Sequence, residues 1–190
     1  KKNHSITAIK REDSKPSIEL EKQPNWITGE MSQDWSKELK KCSTFIHMAS
    51  CGVVDNYDDW DKCFEVNVNQ SINLWRQAIR CGIRKFIIIG SCSEYGKNGD
   101  NFSEIPANAS LIPTNAYAAS KAAATMAALG LAIEHDLDLK ILRLFHVFGR
   151  GEDNRRFWKQ LENAAKRNQD LEMTKGEQVR DFSDVKEISK

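Results

Sequence analysis

No C-x-x-C pair occurs in this sequence, and its five cysteines (Cys42, Cys51, Cys63, Cys81, Cys92) are odd in number and scattered. That spacing argues against a disulfide framework or a thiolate zinc site, and a reducing cytoplasm is the expected compartment. The four histidines are not spaced as metal ligands, so no metal is expected. Charge of one sign is also lacking. The formal net charge is +1 with 29% charged residues, and no long basic run suggests a nucleic-acid or membrane surface. "KELKK" at 37–41 reads as a solvated face. The sequence shows no signal-like start, no uninterrupted apolar span suited to a bilayer, no internal repeat and no low-complexity segment.

What is there is an alternation. At 190 residues, 40% of them hydrophobic, the chain suffices for one domain with a core and part of a second. Short apolar runs at 4–11, 25–28, 44–50, 85–91 and 139–149 read as strands. "KFIIIGS" at 85–91 is the strongest, β-branched and bounded by Gly. Between them, 60–80, 116–135 and 155–168 carry helical periodicity, with Phe64, Val68, Ile72, Trp75 and Ile79 spaced three or four apart. Continuous apolar strands alternating with helices predict an α/β doubly wound parallel sheet. The turn-rich 96–115 predicts a long, functional loop.

"PTNAYAASKAAA" at 113–124 sets Tyr117 and Lys121 four apart at the head of an alanine-rich run. On a helix they share a face, about 6 Å apart at Cβ. A neighbouring ammonium favours the phenolate, which suits proton transfer to a hydroxyl or carbonyl. Taken alone, such a pair more often packs and snorkels on a surface helix. Upstream, "KFIIIGSCSEYG" runs a strand into a Ser-rich loop, and ligands of open α/β sheets bind outside the carboxyl ends of strands. Ser91 stands there, able to hydrogen-bond a reacting oxygen. A serine after a strand is by itself usually a turn residue.

The ordered set "FIHMAS" (45–50), "NVNQSINLWRQA" (67–78), "GSCSEYG" (90–96), "YAASK" (117–121), "LRLFHVFG" (142–149) and "GEQVRDFSDV" (176–185) resembles an extended short-chain dehydrogenase/reductase. The type is that of the NAD-dependent epimerase/dehydratase family acting on nucleotide sugars. The resemblance implies a Rossmann-like domain over 1–150 and the start of a substrate-binding part over 151–190. It also implies NADP or NAD as cofactor, a nucleotide-sugar substrate, and a homodimer through the helices at 60–80 and 116–135. By position it makes Tyr117 the acid/base, with Lys121 binding the nicotinamide ribose and acidifying Tyr117. Ser91 is the catalytic hydroxyl, with Ser93 its less favoured substitute. Met48, Ala49 and Ser50 form the wall beside the cofactor, Asn67 anchors cofactor and helix, and Phe145 lies at the nicotinamide end. His146 and Arg180 meet the sugar nucleotide and its phosphates.

The departures carry expectations of their own. The family's opening strand and Gly-rich phosphate turn have no counterpart here, so the chain is expected to be an internal part of a longer protein. Lys10 and Arg11 stand at the end of the first strand, where a 2′-phosphate prefers a basic residue, with Glu12 and Asp13 behind them. NADP is favoured over NAD on that ground. Glu30 and Met31 take the adenine side. Relatives that dehydrate the sugar have an acid where Ser93 stands, which disfavours a 4,6-dehydratase and leaves a 4-epimerase or 4-keto reductase. The rival reading is a non-catalytic, nucleotide-sensing module of the same fold.

Overall fold

The computed structural model describes residues 4–54 and 58–190. It divides into two compact units, one of residues 1–15 and 22–143, the other of residues 16–21 and 144–190.

The first unit is the larger. Its elements in chain order are β1 (Thr7–Lys10), β2 (Asn25–Thr28), α1 (Ser36–Leu39), β3 (Thr44–His47), α2 (Trp60–Phe64), α3 (Ser71–Arg80), β4 (Lys85–Ser91), α4 (Ala116–His135) and β5 (Asp138–Leu144). The last residue of β5 passes into the second unit. β1 pairs with β2 in parallel, Thr7 opposite Asn25, and β3 pairs with β4 in parallel, Thr44 opposite Lys85. β4 is the central strand of the triplet β3–β4–β5. This is an α/β arrangement of parallel strands and crossover helices of the Rossmann-like kind, as the alternating pattern predicts.

The core explains why these segments take these forms. Leu74, Trp75, Ala78 and Ile79 place the buried face of α3 against Phe45, Phe86 and Ile88 of the sheet. Phe86 is 2% exposed and Ile83 1% exposed. Burying a side chain of that size is worth about 1.5–3 kcal/mol. Helix α4 begins where the Asn115 side chain accepts from the Ala118 N–H at 2.8 Å. It ends where Asp136 turns left-handed at φ 51°.

Three expectations need correction. Residues 60–80 are not one uniform helix: Glu65–Gln70 runs as a π-helix between α2 and α3. The run at 139–149 is two strands that break at Phe145, β5 and then β6 (His146–Phe148). Helix α4 is, by length and composition, long and apolar enough to cross a membrane, against the reading that no such span exists. Lys121 and Glu134 are its only charged residues apart from His135 near the end. The helix instead buries Ala116, Ala118, Ala122, Ala124 and Ala128 within the first unit and leaves Met126, Leu129 and Ile133 exposed.

The second unit carries β6, α5 (Phe157–Arg167), β7 (Phe182–Asp184) and α6 (Val185–Ile188). β6 and β7 pair in parallel, His146 opposite Phe182. Phe148, Trp158, Phe157, Phe182 and His146 gather around this pair with ring centroids 4.8–6.2 Å apart.

Candidate functional site

Ser91 is the last residue of β4 and caps the short 3₁₀ turn Cys92–Glu94. Its Oγ accepts from the Ser93 N–H at 3.2 Å, while the Glu94 carboxylate accepts from the Ser91 N–H at 2.8 Å. This reciprocal capping box fixes the strand end, and with it the serine, before any ligand arrives. Ser93 serves that turn through its backbone, which leaves Ser91 as the hydroxyl turned to Tyr117.

Glu94 is completely buried. Besides the Ser91 N–H, it accepts from Thr125 Oγ1 at 2.8 Å and from Arg143 Nε at 2.7 Å. The carboxylate fits because Gly90 has no Cβ: one built there would lie 2.6 Å from Glu94 Oε1. Arg143 in turn donates to Ala107 O at 2.8 Å and lies 5.1 Å from the centre of the Tyr95 ring. The long turn-rich segment is thus tied to the same buried charge that holds Ser91.

Tyr117 and Lys121 lie in the first turns of α4. The half-buried Tyr117 hydroxyl hydrogen-bonds with Ser91 and with Ser50. Burial pushes its pKa up, and the two serine hydrogen bonds pull the other way without cancelling it. The acidified phenol predicted from the Tyr–Lys spacing is therefore not found. Lys121 is 5% exposed and its ammonium donates to Ile89 O at 2.7 Å. Burial holds its pKa below the ordinary lysine range, with Glu94 opposing.

Asn67, 3% exposed and inside the π-helical stretch, clamps the chain beyond β3. Its Oδ1 accepts from the Cys51 N–H at 2.7 Å; its Nδ2 donates to Cys51 O at 3.0 Å and to Ser120 Oγ at 2.9 Å. Ser50 Oγ reaches the same Oδ1 at 3.4 Å. A π-turn offsets the side-chain register of a helix and recurs at functional sites. Here it carries an amide that holds residues 50 and 51 beside Tyr117. Met48, Ala49 and Ser50 are all exposed just past β3, Met48 by 73%.

Of the remaining predicted residues, four belong to the first unit and three to the second. Lys10 and Arg11 stand at the carboxyl end of β1, Lys10 Nζ donating to Ser14 O at 3.2 Å and Arg11 exposed. Glu30 and Met31 follow the carboxyl end of β2, Met31 packing on the core and Glu30 O accepting from Trp35 Nε1 at 3.1 Å. No hydrogen bond among the described residues joins these four to Tyr117. Phe145, His146 and Arg180 belong to the second unit, Phe145 half-buried between β5 and β6. There Arg180 Nη1 meets His146 Nε2 at 2.6 Å. Since arginine only donates, Nε2 accepts, and the proton sits on the buried Nδ1. Burial first, and Arg180 second, lower the His146 pKa. Among the described residues no three His, Cys, Asp or Glu side chains come together.

The buried Lys121 tests whether a dinucleotide suits this site. An ammonium has three donors, and here only one is used, on Ile89 O, among the described residues. Two donors beside a phenol and two serines fit a vicinal diol such as a ribose. The Glu94 carboxylate adds an opposite charge to its surroundings.

The model of the NAD dependent epimerase/dehydratase family matches residues 1–190. The chain belongs to that family. No curated protein matches the sequence. Among solved structures, it is similar to UDP-N-acetylglucosamine 4-epimerase from Methanobrevibacter ruminantium M1 in complex with UDP-N-acetylmuramic acid. The TM-score is 0.86 at 24% identity over 97% of this chain and 63% of that one. It is also similar to TunA, an NAD dependent NDP-hexosamine 5,6-dehydratase of tunicamycin biosynthesis (TM-score 0.85, 24% identity, 97% of this chain, 61% of that one). A third is MoeE5 in complex with UDP-glucose and NAD (0.79, 25%, 97% and 60%). The chain spans less than two thirds of the length of these structures.

Proposed function

We propose that the protein carrying this chain transfers hydride between a nicotinamide dinucleotide and a nucleotide sugar, as a 4-epimerase or 4-keto reductase, with Tyr117 as acid/base. The observation that carries this reading is the Tyr117 hydroxyl held by Ser91 and Ser50, with a buried Lys121 one turn on along α4 whose ammonium uses one acceptor among the described residues. The nucleotide sugars and NAD named in the neighbours' complexes support the substrate and cofactor class.

The nicotinamide, when bound, supplies or removes the hydride. Ser91 donates to the sugar's C4 oxygen and holds it within reach of the phenol. A phenol with a raised pKa rests protonated at neutral pH, so it is poised to give its proton to the oxyanion as the carbonyl is reduced. In the opposite direction Ser50 and Ser91 donate to the forming phenolate. Lys121 holds the ribose and adds positive charge to the site. Elimination needs a carboxylate facing the sugar, and Glu94 is committed to Ser91, Thr125 and Arg143. The dehydratase reaction is disfavoured accordingly.

Lys10 and Arg11 at the end of β1 favour a 2′-phosphate, and so NADP over NAD. Arg180, which donates to His146, supplies donors for a diphosphate. The exposed Met126, Leu129 and Ile133 of α4 suit a homodimer face.

The test uses full-length protein, a 4-keto nucleotide sugar and NADPH or NADH deuterated at the transferring position. A reductase consumes cofactor and leaves deuterium at C4. An epimerase interconverts C4 epimers without net consumption. Tight cofactor binding with neither outcome across UDP-, dTDP- and GDP-sugars would instead support the sensing module.

A further inference from the structure

We propose that Cys51 and Cys63 are a site of reversible disulfide formation, oxidised by hydrogen peroxide, which closes against the Tyr117 site and switches it off. Its effect on turnover rests on the function proposed above; the bond itself does not.

The two cysteines are twelve positions apart in sequence, one beyond β3 and one on α2. Cys63 is fully buried, and its thiol hydrogen-bonds with the Cys51 thiol and with Ser120. Gly52, next to Cys51, runs so close that a Cβ there would lie 2.8 Å from Cys63 Sγ. The Cys51 backbone is clamped on both sides by Asn67, so the pair is already registered. Cys42 and Cys81 differ: their thiols donate to carbonyls, Glu38 O at 3.5 Å and Ser36 O at 3.6 Å. All five cysteines are outside disulfides in this structure.

Exposure sets the order of events. Cys51 is half-exposed and Cys63 is sealed, its thiol made less acidic by burial. The Cys51 thiolate attacks one peroxide oxygen and breaks the O–O bond, becoming a sulfenic acid while the other oxygen leaves as water. The Cys63 sulfur then attacks the Cys51 sulfur. Its proton and the sulfenic hydroxyl depart as a second water. Two thiols give up two electrons and one peroxide becomes two waters.

The consequence follows from Gly52. Its φ of +87° suits glycine, and a Cβ there would sit 3.1 Å from Tyr117 Cδ2. Drawing Cys51 from hydrogen-bond range to the roughly 2.05 Å of an S–S bond pulls this segment toward α2. The wall beside Tyr117 moves, and Ser50, which holds the phenol, moves with it.

The experiment treats the full-length protein with hydrogen peroxide, alkylates remaining thiols and maps the unreduced peptides by mass spectrometry. The expected result is a Cys51–Cys63 cross-linked peptide that dithiothreitol removes. In the Cys63→Ser variant, Cys51 is instead trapped as a sulfenic acid by dimedone; in Cys92→Ser the bridge still forms. Turnover of the bridged form falls about a hundredfold and returns on reduction. Absence of that peptide, with Cys51 and Cys63 recovered as thiols or bridged to other cysteines, overturns the site. A bridge that leaves turnover intact overturns the switch. A protein that turns over no nucleotide sugar, yet forms the bridge, sinks the proposed function and leaves the site standing.

Discussion

Among the described residues, every fully buried side chain lies in the first unit, and the second has none. The first packs Phe86, Trp75 and Ile83 at 1–2% exposure around β4, and from that support it holds Ser91, Tyr117 and Lys121 by named hydrogen bonds. The second offers half-exposed aromatics and surface charges, with Arg180 reaching His146 from an exposed position. A phenol whose position matters is better held by a well-buried framework than by an exposed one.

Changes to charge should separate the two units. Lys121→Met removes a buried ammonium with a single acceptor. It should reduce dinucleotide binding and lower turnover about a hundredfold or more, while the melting temperature holds or rises, because the cost of burying that charge disappears. A melting temperature that drops sharply would mean Lys121 is a structural member of the core. Glu94→Gln keeps the shape of the buried carboxylate but strands the Arg143 charge. It should cost about 3 kcal/mol in denaturant unfolding of the full-length protein. The matched change in the second unit, Glu162→Gln, breaks ion pairs with Lys159 and Lys166 that lie in solvent, and should leave unfolding unchanged.

A pH series sharpens the contrast further. His47 sits on β3 against Trp75, its ring centroid 5.3 Å away, with Ser71 Oγ at 3.1 Å from Nε2. Burial, aided by the nearby Lys121 charge, pushes its pKa down to about 4. The unfolded chain takes up this proton near the ordinary value of about 6.5, before the folded one can. Stability should therefore fall as pH drops from about 6.5 toward 4, by about 3 kcal/mol at most. His47→Gln should flatten that slope. The smallest effect expected is Arg180→Ala, which raises KM for the nucleotide sugar about tenfold with kcat little changed. It should also let the His146 pKa rise toward its ordinary range, which ¹H–¹⁵N correlation spectra of the imidazole would follow.

How much of this could be read from the sequence depended on range. β4 and α4 appear at the bounds their patterns predict, because each is long or strongly patterned enough to declare itself, and the four-residue β2 also falls at its expected bounds. α1, β7 and α6 have three or four residues and no period to read. The break at Phe145 is invisible in an apolar run, since β6 is set by its pairing with β7 some 36 positions away. Local pattern pointed to Ser91, Tyr117 and Lys121 as site residues, and Asn67 was named only by the family resemblance. The S-x-x-E capping box at 91–94 was legible as a pattern, but its ion pair with Arg143, 49 positions on, was not. The role of Ser50 was partly seen: it was expected as cofactor wall and is found bonded to the Tyr117 hydroxyl. The acidity of Tyr117 went the other way because spacing along a helix says nothing of burial, and burial outweighs the serine hydrogen bonds.

The most direct test of the account is Tyr117→Phe in the full-length protein, with dinucleotide binding and nucleotide-sugar turnover measured side by side. The account predicts binding within a few-fold of the unaltered protein and turnover lower by about 10²–10⁴-fold. Turnover that survives the loss of this one hydroxyl would contradict it.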